Sequence, residues 1–275
     1  EGTRALVGYD NDLSLWNLTD GTAQPLKSEL FGAEGHGYFP DFSPDGKHIV
    51  VTLSDHPDKP WAVSTGSIAT LDFLDDGSLL PAQVLVPMTD QEFHFYPSWS
   101  PDSQWIVFAS APRGVDPSRG CSDPNDSQCQ IISYDQPNAR LRVVHYPDGR
   151  VYDLNRATQG VGLTSTLPKF APLPTNGHNQ LLITFNSKMP YGIEVPENIP
   201  AQLWLSVLDF DRLPDDPSSA PVWLPFQNFG QKNHLAYWCD QVPCRTDVPS
   251  EQECGPDEYC EQPDNVCLPV EPVVK

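Results

Sequence analysis

The chain has 275 residues, of which 37 are acidic and 16 basic, so its formal net charge at neutral pH is −21. Phosphate polymers bind to basic surfaces, so this balance argues against nucleic acid as a partner and disfavours an anionic membrane surface. Thirty prolines and eighteen glycines are too many for a helical protein, and no stretch of about 12 residues shows helical periodicity. The sequence therefore predicts an all-β protein of short strands joined by tight turns.

The first predicted strands follow directly in the chain. Residues 4–7 have a strand pattern, and the apolar alternation of residues 13–18 leads into an Asp20-Gly21 turn. Asp-Gly between two apolar alternations predicts a β-hairpin. The same arrangement recurs at Asp76-Gly77, at Asp148-Gly149 and, more loosely, in the Pro- and Asp-rich turn of residues 214–219.

A second kind of hairpin alternates with the first and carries the pattern Pro-x-aromatic. It is clearest in Pro40-Asp-Phe-Ser-Pro-Asp-Gly-Lys-His-Ile and Pro97-Ser-Trp-Ser-Pro-Asp-Ser-Gln-Trp-Ile, and weaker copies begin at Pro168 and Pro221. Two hairpins make a four-stranded sheet, which is one blade of a β-propeller. The repeat aromatics are expected to fill the space between neighbouring sheets; they are Phe42, Trp99, Phe170 and Trp223.

The first two copies resemble the TolB-type, WD40-like propeller repeat, whose signature is Pro-x-Trp-Ser-Pro-Asp-Gly-Lys-x-Ile. The resemblance covers residues 3–238 in architecture and is specific over about two repeats. It implies an all-β propeller of at least four four-stranded blades, and family members are typically six-bladed. It also implies a periplasmic or secreted protein that serves as a protein-binding platform or as the non-catalytic propeller of a peptidase.

The N-terminal residues match the second half of a repeat rather than its beginning. Residues 4–7 resemble the segment that follows the turn at Pro44-Asp45-Gly46. Either the sequence extends upstream, or this segment closes a ring begun elsewhere, and we expect the upstream extension. The expected domains are a propeller over residues 1–238, incomplete at its N-terminal side, and a cysteine-rich tail over residues 239–275.

Seven cysteines are candidates for disulfides: Cys121, Cys129, Cys239, Cys244, Cys254, Cys260 and Cys267. The last five lie in a polar, acidic tail with no hydrophobic core, which resembles the short modules appended to secreted bacterial proteins. Such a segment indicates disulfides and an oxidising, extracytoplasmic compartment. Cys121 and Cys129 would close a short loop in the insertion of residues 111–130. One cysteine is left over, and the sequence does not give the pairing.

Motifs that carry chemistry are missing from the sequence. It has no Gly-x-Ser-x-Gly nucleophile elbow, no phosphate-binding or dinucleotide-binding glycine pattern, and no zinc-type cysteine spacing. No residue is predicted to be catalytic, to bind a cofactor or to hold a metal. Calcium is an alternative at acidic turns, namely Asp10 to Asp12 and Asp209 to Asp216. The seven histidines are scattered singly, although His36 and His94 precede the first two motifs at comparable places.

The sequence thus predicts a secreted or periplasmic, non-catalytic propeller that acts as a binding or structural subunit of a larger protein assembly. Other protein subunits are its expected partners, with no nucleic acid and no insertion into a membrane. Long loops on a rigid propeller are the expected binding surface, here residues 111–130 and 186–201. One alternative is an enzyme, a hydrolase or lyase, with histidines and carboxylates converging on the central channel. Another is the propeller portion of a longer peptidase-like protein.

Overall fold

The computed structural model describes thirteen stretches of the chain: residues 3–9, 12–26, 28–32, 35–74, 76–115, 129–160, 163–172, 179–191, 200–228, 230–236, 238, 258–261 and 266–269. The chain forms two compact units, Glu1–Ala236 and Tyr237–Lys275.

The described residues of the first unit contain fifteen strands: β1 (Arg4–Tyr9), β2 (Asp12–Asn17), β3 (Thr22–Leu26), β4 (His36–Phe42), β5 (His48–Ser54), β6 (Ser67–Asp72), β7 (Gln83–Val86), β8 (Glu92–Trp99), β9 (Trp105–Pro112), β10 (Arg140–His145), β11 (Val151–Asp153), β12 (Thr166–Phe170), β13 (Gln180–Ser187), β14 (Gln202–Asp209) and β15 (Val222–Trp223). A short α-helix, α1 (Asn155–Thr158), follows β11, and 3-10 turns lie at Ser28–Leu30 and Phe210–Arg212. In the second unit, β16 (Glu258–Glu261) pairs with β17 (Val266–Pro269), and Cys260 is the register partner of Cys267. Among the described residues, no helix is long and apolar enough to span a bilayer.

The described strands of the first unit form four antiparallel sheets, each a meander whose strand order follows the chain. β4–β7, β8–β11 and β12–β15 are four-stranded, and neighbouring sheets pack face to face in chain order. This is the blade arrangement of a β-propeller, so the predicted all-β propeller fold is confirmed. The sheet β1–β3 has three strands among the described residues, and β1 and β2 contact β4 of the next sheet.

Each innermost strand of the four-stranded blades carries a β-bulge at the repeat proline. The register shifts between Tyr38 and Asp41 in β4, and equivalent shifts occur in β8 and β12. The residue before each proline has a positive φ of 51–54°, at Phe39, Tyr96 and Leu167. Proline cannot donate to a strand ladder and is tolerated at a bulge, which explains why the strand breaks there. As a result, these three side chains join one hydrophobic cluster.

The repeat aromatics of the first three copies lie between neighbouring sheets, as their spacing predicts. Phe42 packs in the cluster that joins the first two sheets. Trp99 is buried against Val50 and Ile68 of the preceding blade, and Phe170 is buried in the cluster between the last two blades. Large flat side chains therefore contribute apolar area to the contacts between blades.

The position predicted for the fourth copy of the repeat is wrong. Trp223 lies on β15, the outermost strand of the last blade, and is the register partner of Trp204. It does not begin the innermost strand of another blade. The Pro-x-aromatic pattern at Pro221 was misleading because a proline also suits the edge of a sheet, where no ladder hydrogen bond is lost.

Candidate binding surface

The meander order gives each blade two distinct ends. Connections from second to third strands leave one end, which we call the loop end; they are residues 55–66, 113–139 and 188–201. The opposite end, the turn end, carries the tight hairpins such as Ser43 to Lys47, where Gly46 has a φ of 71°. The described residues that flank both insertions singled out by the sequence, at residues 111–130 and 186–201, lie at the loop end. Residues 116–128 and 192–199 lie outside the described residues.

Two tyrosines of the innermost strands hold the loop of residues 55–66 in place. The backbone N–H of Asp58 donates to the Tyr38 hydroxyl at 2.6 Å, and that hydroxyl lies 3.2 Å from the Asp58 carbonyl. The Tyr96 hydroxyl donates to the carbonyl of Trp61 at 3.1 Å. Burial raises the pKa of Tyr96 to about 12, so its hydroxyl keeps its proton at neutral pH.

The loop of residues 55–66 is also tied to the connection that precedes β10. The N–H of Val63 donates to the Ser133 hydroxyl at 3.0 Å, and the N–H of Ser133 donates to the Val63 carbonyl at 2.7 Å. The Ser133 hydroxyl lies 3.3 Å from that of Tyr96. Two connections from neighbouring blades are thus fixed to each other and to an innermost strand.

The same connection is joined to the last blade. The Lys188 ammonium lies 2.8 Å from a carboxylate oxygen of Asp135. The Asn186 amide donates to the backbone carbonyl of His234 at 2.8 Å, which holds residues 230–236 against β13. Burial lowers the pKa of His234, so the neutral imidazole is favoured near neutral pH.

These contacts present a group of exposed rings at the loop end. Trp61 is 50% exposed and Tyr134 is 39% exposed. Their ring centroids are 5.4 Å apart and their planes are perpendicular, at 84°. Lys59 lies with its ammonium 5.2 Å from the centre of the Trp61 ring, and the His234 ring lies 5.5 Å from that of Tyr134. We call Lys59, Trp61, Tyr134 and His234 the loop-end aromatic surface.

Exposed rings above a backbone that is fixed by hydrogen bonds are features that protein-binding surfaces share. Trp and Tyr are enriched among the residues that dominate binding energy. A rigid loop also loses little conformational entropy when a partner binds. The sequence highlighted long loops, but it did not single out Trp61, which lies in a shorter connection. The sequence signal that could have identified Trp61 is the segment Pro57 to Trp61, in which two prolines restrict the backbone before an aromatic residue.

A polar cluster lies beside this surface, around His56. Its Nδ1 is 2.8 Å from Asp55 Oδ1, and its Nε2 is 3.1 Å from the Ser64 hydroxyl. Asp58 accepts hydrogen bonds from the hydroxyls of Ser54 and Ser64, at 3.0 and 3.1 Å. Partial burial alone would raise the pKa of Asp55, but hydrogen bonds from His56 and Thr65 lower it.

The predicted equivalence of His36 and His94 is wrong. Counted from the bulge, His36 is two residues before Tyr38, whereas His94 directly precedes Phe95, the equivalent of Tyr38. Successive side chains of a strand point to opposite faces, so an offset of one residue separates the two histidines. His94 is buried between blades, with its Nδ1 2.8 Å from the Ser110 hydroxyl.

His94 lies near an ionic network on the same face of the third blade. Glu92 binds Arg140 at 2.7 Å and Arg142 at 3.1 Å, and Arg142 also binds Asp153 at 2.8 Å. Burial lowers the pKa of His94 to about 4, and the positive charges of Arg142 and Arg140 act in the same direction. His94 is therefore neutral at pH 7 and structural in role.

The acidic stretches considered for calcium mostly cap turns. Asp209 accepts from the N–H of Asp211 at 3.3 Å. Asp216 accepts from the N–H groups of Ser218 and Arg156, both at 2.8 Å. Within the described ranges, no group of three or more His, Cys, Asp or Glu side chains is arranged to hold a metal ion. Residues 10–11 lie outside those ranges.

Of the seven cysteines, Cys129 has a described side chain; it is buried and disulfide-bonded. Its predicted partner, Cys121, lies outside the described residues, as do Cys239, Cys244 and Cys254. The pairing predicted between Cys121 and Cys129 stays a prediction.

No family model matches the chain, and no curated protein matches it. Among solved structures, it is similar to an oligogalacturonate lyase from Vibrio parahaemolyticus, with a TM-score of 0.46 and 14% identity over 82% of this chain and 50% of that one. The tricorn protease follows at 0.39 and 12%, over 74% of this chain and 16% of that one. A putative dipeptidyl aminopeptidase IV from Bacteroides ovatus gives 0.34 and 10%, over 89% and 31%. The chain spans half or less of each of these structures, and no function is transferred from such distant similarity.

Proposed function

We propose that this chain is a TolB-like, non-catalytic propeller that binds another protein through its loop-end aromatic surface. The observation that carries the proposal is the exposure of Trp61 on a backbone held by the hydroxyl of Tyr96. Exposed rings on an immobilised loop resemble the central anchors of protein interfaces.

The setting that we propose is a secreted or periplasmic assembly. The cysteine-rich tail and the disulfide at Cys129 favour an oxidising compartment. The net charge of −21 favours solubility and disfavours phosphate-rich partners.

Native mass spectrometry of the protein purified gently from its own source tests the proposal. The chain has a mass of 30.5 kDa, and we expect a complex well above that mass, with the partner identified in the same sample. A chain that stays free of other proteins at the concentration of its source would contradict the proposed role.

A hydrolase is the second candidate function. Ser64, His56 and Asp55 are linked by hydrogen bonds in the sequence nucleophile, base and carboxylate. Two observations make it the weaker candidate. Ser64 is only 7% exposed, and its hydroxyl lies 3.1 Å from the carboxylate of Asp58, a stronger acceptor than imidazole. Treatment with a fluorophosphonate tests this candidate. A covalent adduct on Ser64 that disappears in His56→Gln would establish it, and an unmodified Ser64 would remove it.

A further inference from the structure

The loop-end aromatic surface has a shape that limits what it can bind. The planes of Trp61 and Tyr134 meet at 84° with their centroids 5.4 Å apart, so the two rings form the walls of a right-angled notch. The Lys59 ammonium lies 5.2 Å from the centre of the indole ring. A ligand in this notch therefore lies against two aromatic rings and near a positive charge.

The same notch offers one hydrogen-bond donor to a ligand. The indole N–H of Trp61 makes no hydrogen bond to any described residue, while half of the side chain faces solvent. Its backbone carbonyl is already used by Tyr96. A ligand that fits must therefore bring apolar rings for the notch and a carbonyl oxygen for the indole N–H.

We propose that the loop-end aromatic surface binds a proline-rich segment in the polyproline II conformation. Such a segment presents pyrrolidine rings at regular intervals, and its backbone carbonyls are not used by its own chain. Its φ angles are already fixed, so binding costs little conformational entropy, and notches lined by aromatic side chains are a recurrent way of recognising it. This inference rests on the proposed protein-binding function and names the partner segment.

The Lys59 ammonium indicates that the partner segment carries an acidic residue beside its prolines. Lys188 at this end pairs with Asp135, but Lys59 has an aromatic contact and no carboxylate partner among the described residues. Lys232 adds a second positive charge near His234. Asp55 and Asp58 lie in the same loop as Lys59, and Asp135 lies near His234, so the surface carries charges of both signs. The Lys59 ammonium is the group that an acidic residue beside the prolines would contact.

The test is titration of the full chain with two synthetic peptides, octaproline followed by two glutamates and (Gly-Ser)4 followed by the same two glutamates. We expect saturable binding of the first below about 1 mM and binding of the second that is weaker by about tenfold or more. Trp61→Ala should weaken octaproline binding by about tenfold or more. Trp61→Phe, which keeps a ring but removes the N–H, should give an intermediate loss. Trp16→Ala, at another exposed tryptophan on β2, is the matched control and should bind as the unmodified chain does.

Equal binding of the two peptides would overturn the inference, and so would octaproline binding that survives Trp61→Ala. Binding of a soluble acidic oligosaccharide through Trp61, without binding of octaproline, would replace the peptide by a glycan. Capture of a partner protein that depends on Trp61, without octaproline binding, would overturn this inference and leave the proposed function standing. Capture that is indifferent to Trp61 would overturn both.

Discussion

The hydroxyl of Tyr96, on an innermost strand, donates a hydrogen bond of 3.1 Å to the backbone carbonyl of Trp61 in the loop of the preceding blade. Tyr96 is held at a φ of 54° by the bulge before Pro97. The repeat motif that packs the blades thereby also positions the residue that we expect to contact a partner.

Removing that hydroxyl tests the link between strand and loop. Tyr96→Phe should lower the free energy of unfolding by about 1–2 kcal/mol, because the part-buried hydrogen bond to the Trp61 carbonyl is lost and the Ser133 hydroxyl also loses a partner. Urea unfolding measures the change. Tyr152→Phe is the control, since the Tyr152 hydroxyl has no hydrogen-bond partner among the described residues. Equal effects of the two substitutions would show that the Tyr96 hydroxyl does not support the loop.

Glu92 should be important for stability, because two arginines depend on it. Glu92→Gln leaves Arg140 and Arg142 with Asp153 as their remaining countercharge on a partly exposed face, and we expect a loss of about 1–2 kcal/mol in the free energy of unfolding. Arg150→Ala removes the exposed contact with Asp148 and serves as the control, with no measurable change expected. A Glu92 variant as stable as that control would contradict the role of the network.

The buried His94 predicts a pH dependence with a definite sign. Its pKa is lowered to about 4 in the folded protein and is about 6.5 in the unfolded chain. The unfolded state therefore binds the proton first, and stability falls as the pH drops from about 6.5 towards 4. Between pH 7.5 and pH 5, the contribution of His94 is a loss of about 2 kcal/mol.

His94→Gln should remove this contribution, so its stability should change less between pH 7.5 and pH 5 than that of the unmodified chain. Ser110→Ala removes the hydrogen-bond partner of His94 and should lower stability at both pH values while keeping the pH dependence. If His94→Gln keeps the full dependence, another group titrates in that range.

The two tryptophans of the repeat test the corrected alignment. Trp99→Ala should cost about 3–5 kcal/mol, because Trp99 is buried between two blades. Trp223→Ala should cost less than half as much, since Trp223 lies on the outermost strand β15 and stacks on the exposed Tyr191. Thermal or urea unfolding of both variants gives the comparison. Similar costs would mean that Trp223 occupies a blade interface after all.

The repeats made the fold predictable, but not every copy of the motif. Phe42, Trp99 and Phe170 were correctly assigned because each is followed by a strand that is covered on both faces. Trp223 could not be separated from them by its pattern, since Pro-x-aromatic also fits an edge strand. A proline within a strand is the sequence signal for each bulge. The positions that the bulge gives to the Phe39 and Tyr96 side chains depend on how the blades pack together.

The candidate surface was less predictable than the fold. Its position at the loop end follows from the meander order, and the insertions at residues 111–130 and 186–201 pointed to that end. Trp61 could be identified as an exposed residue only from the structure, because its exposure depends on how Tyr96 and Ser133 hold its loop. The spacing of residues along the chain does not predict these contacts between blades.

Affinity capture with the purified chain, from an extract of the compartment in which it is found, tests the central claim most directly. The unmodified chain, Trp61→Ala and the control Trp16→Ala would be immobilised in equal amounts, and the captured proteins would be quantified by mass spectrometry. We predict one set of proteins bound equally by the unmodified chain and Trp16→Ala, and reduced by about tenfold or more on Trp61→Ala. Equal capture by all three would contradict the claim that the loop-end aromatic surface is the binding site.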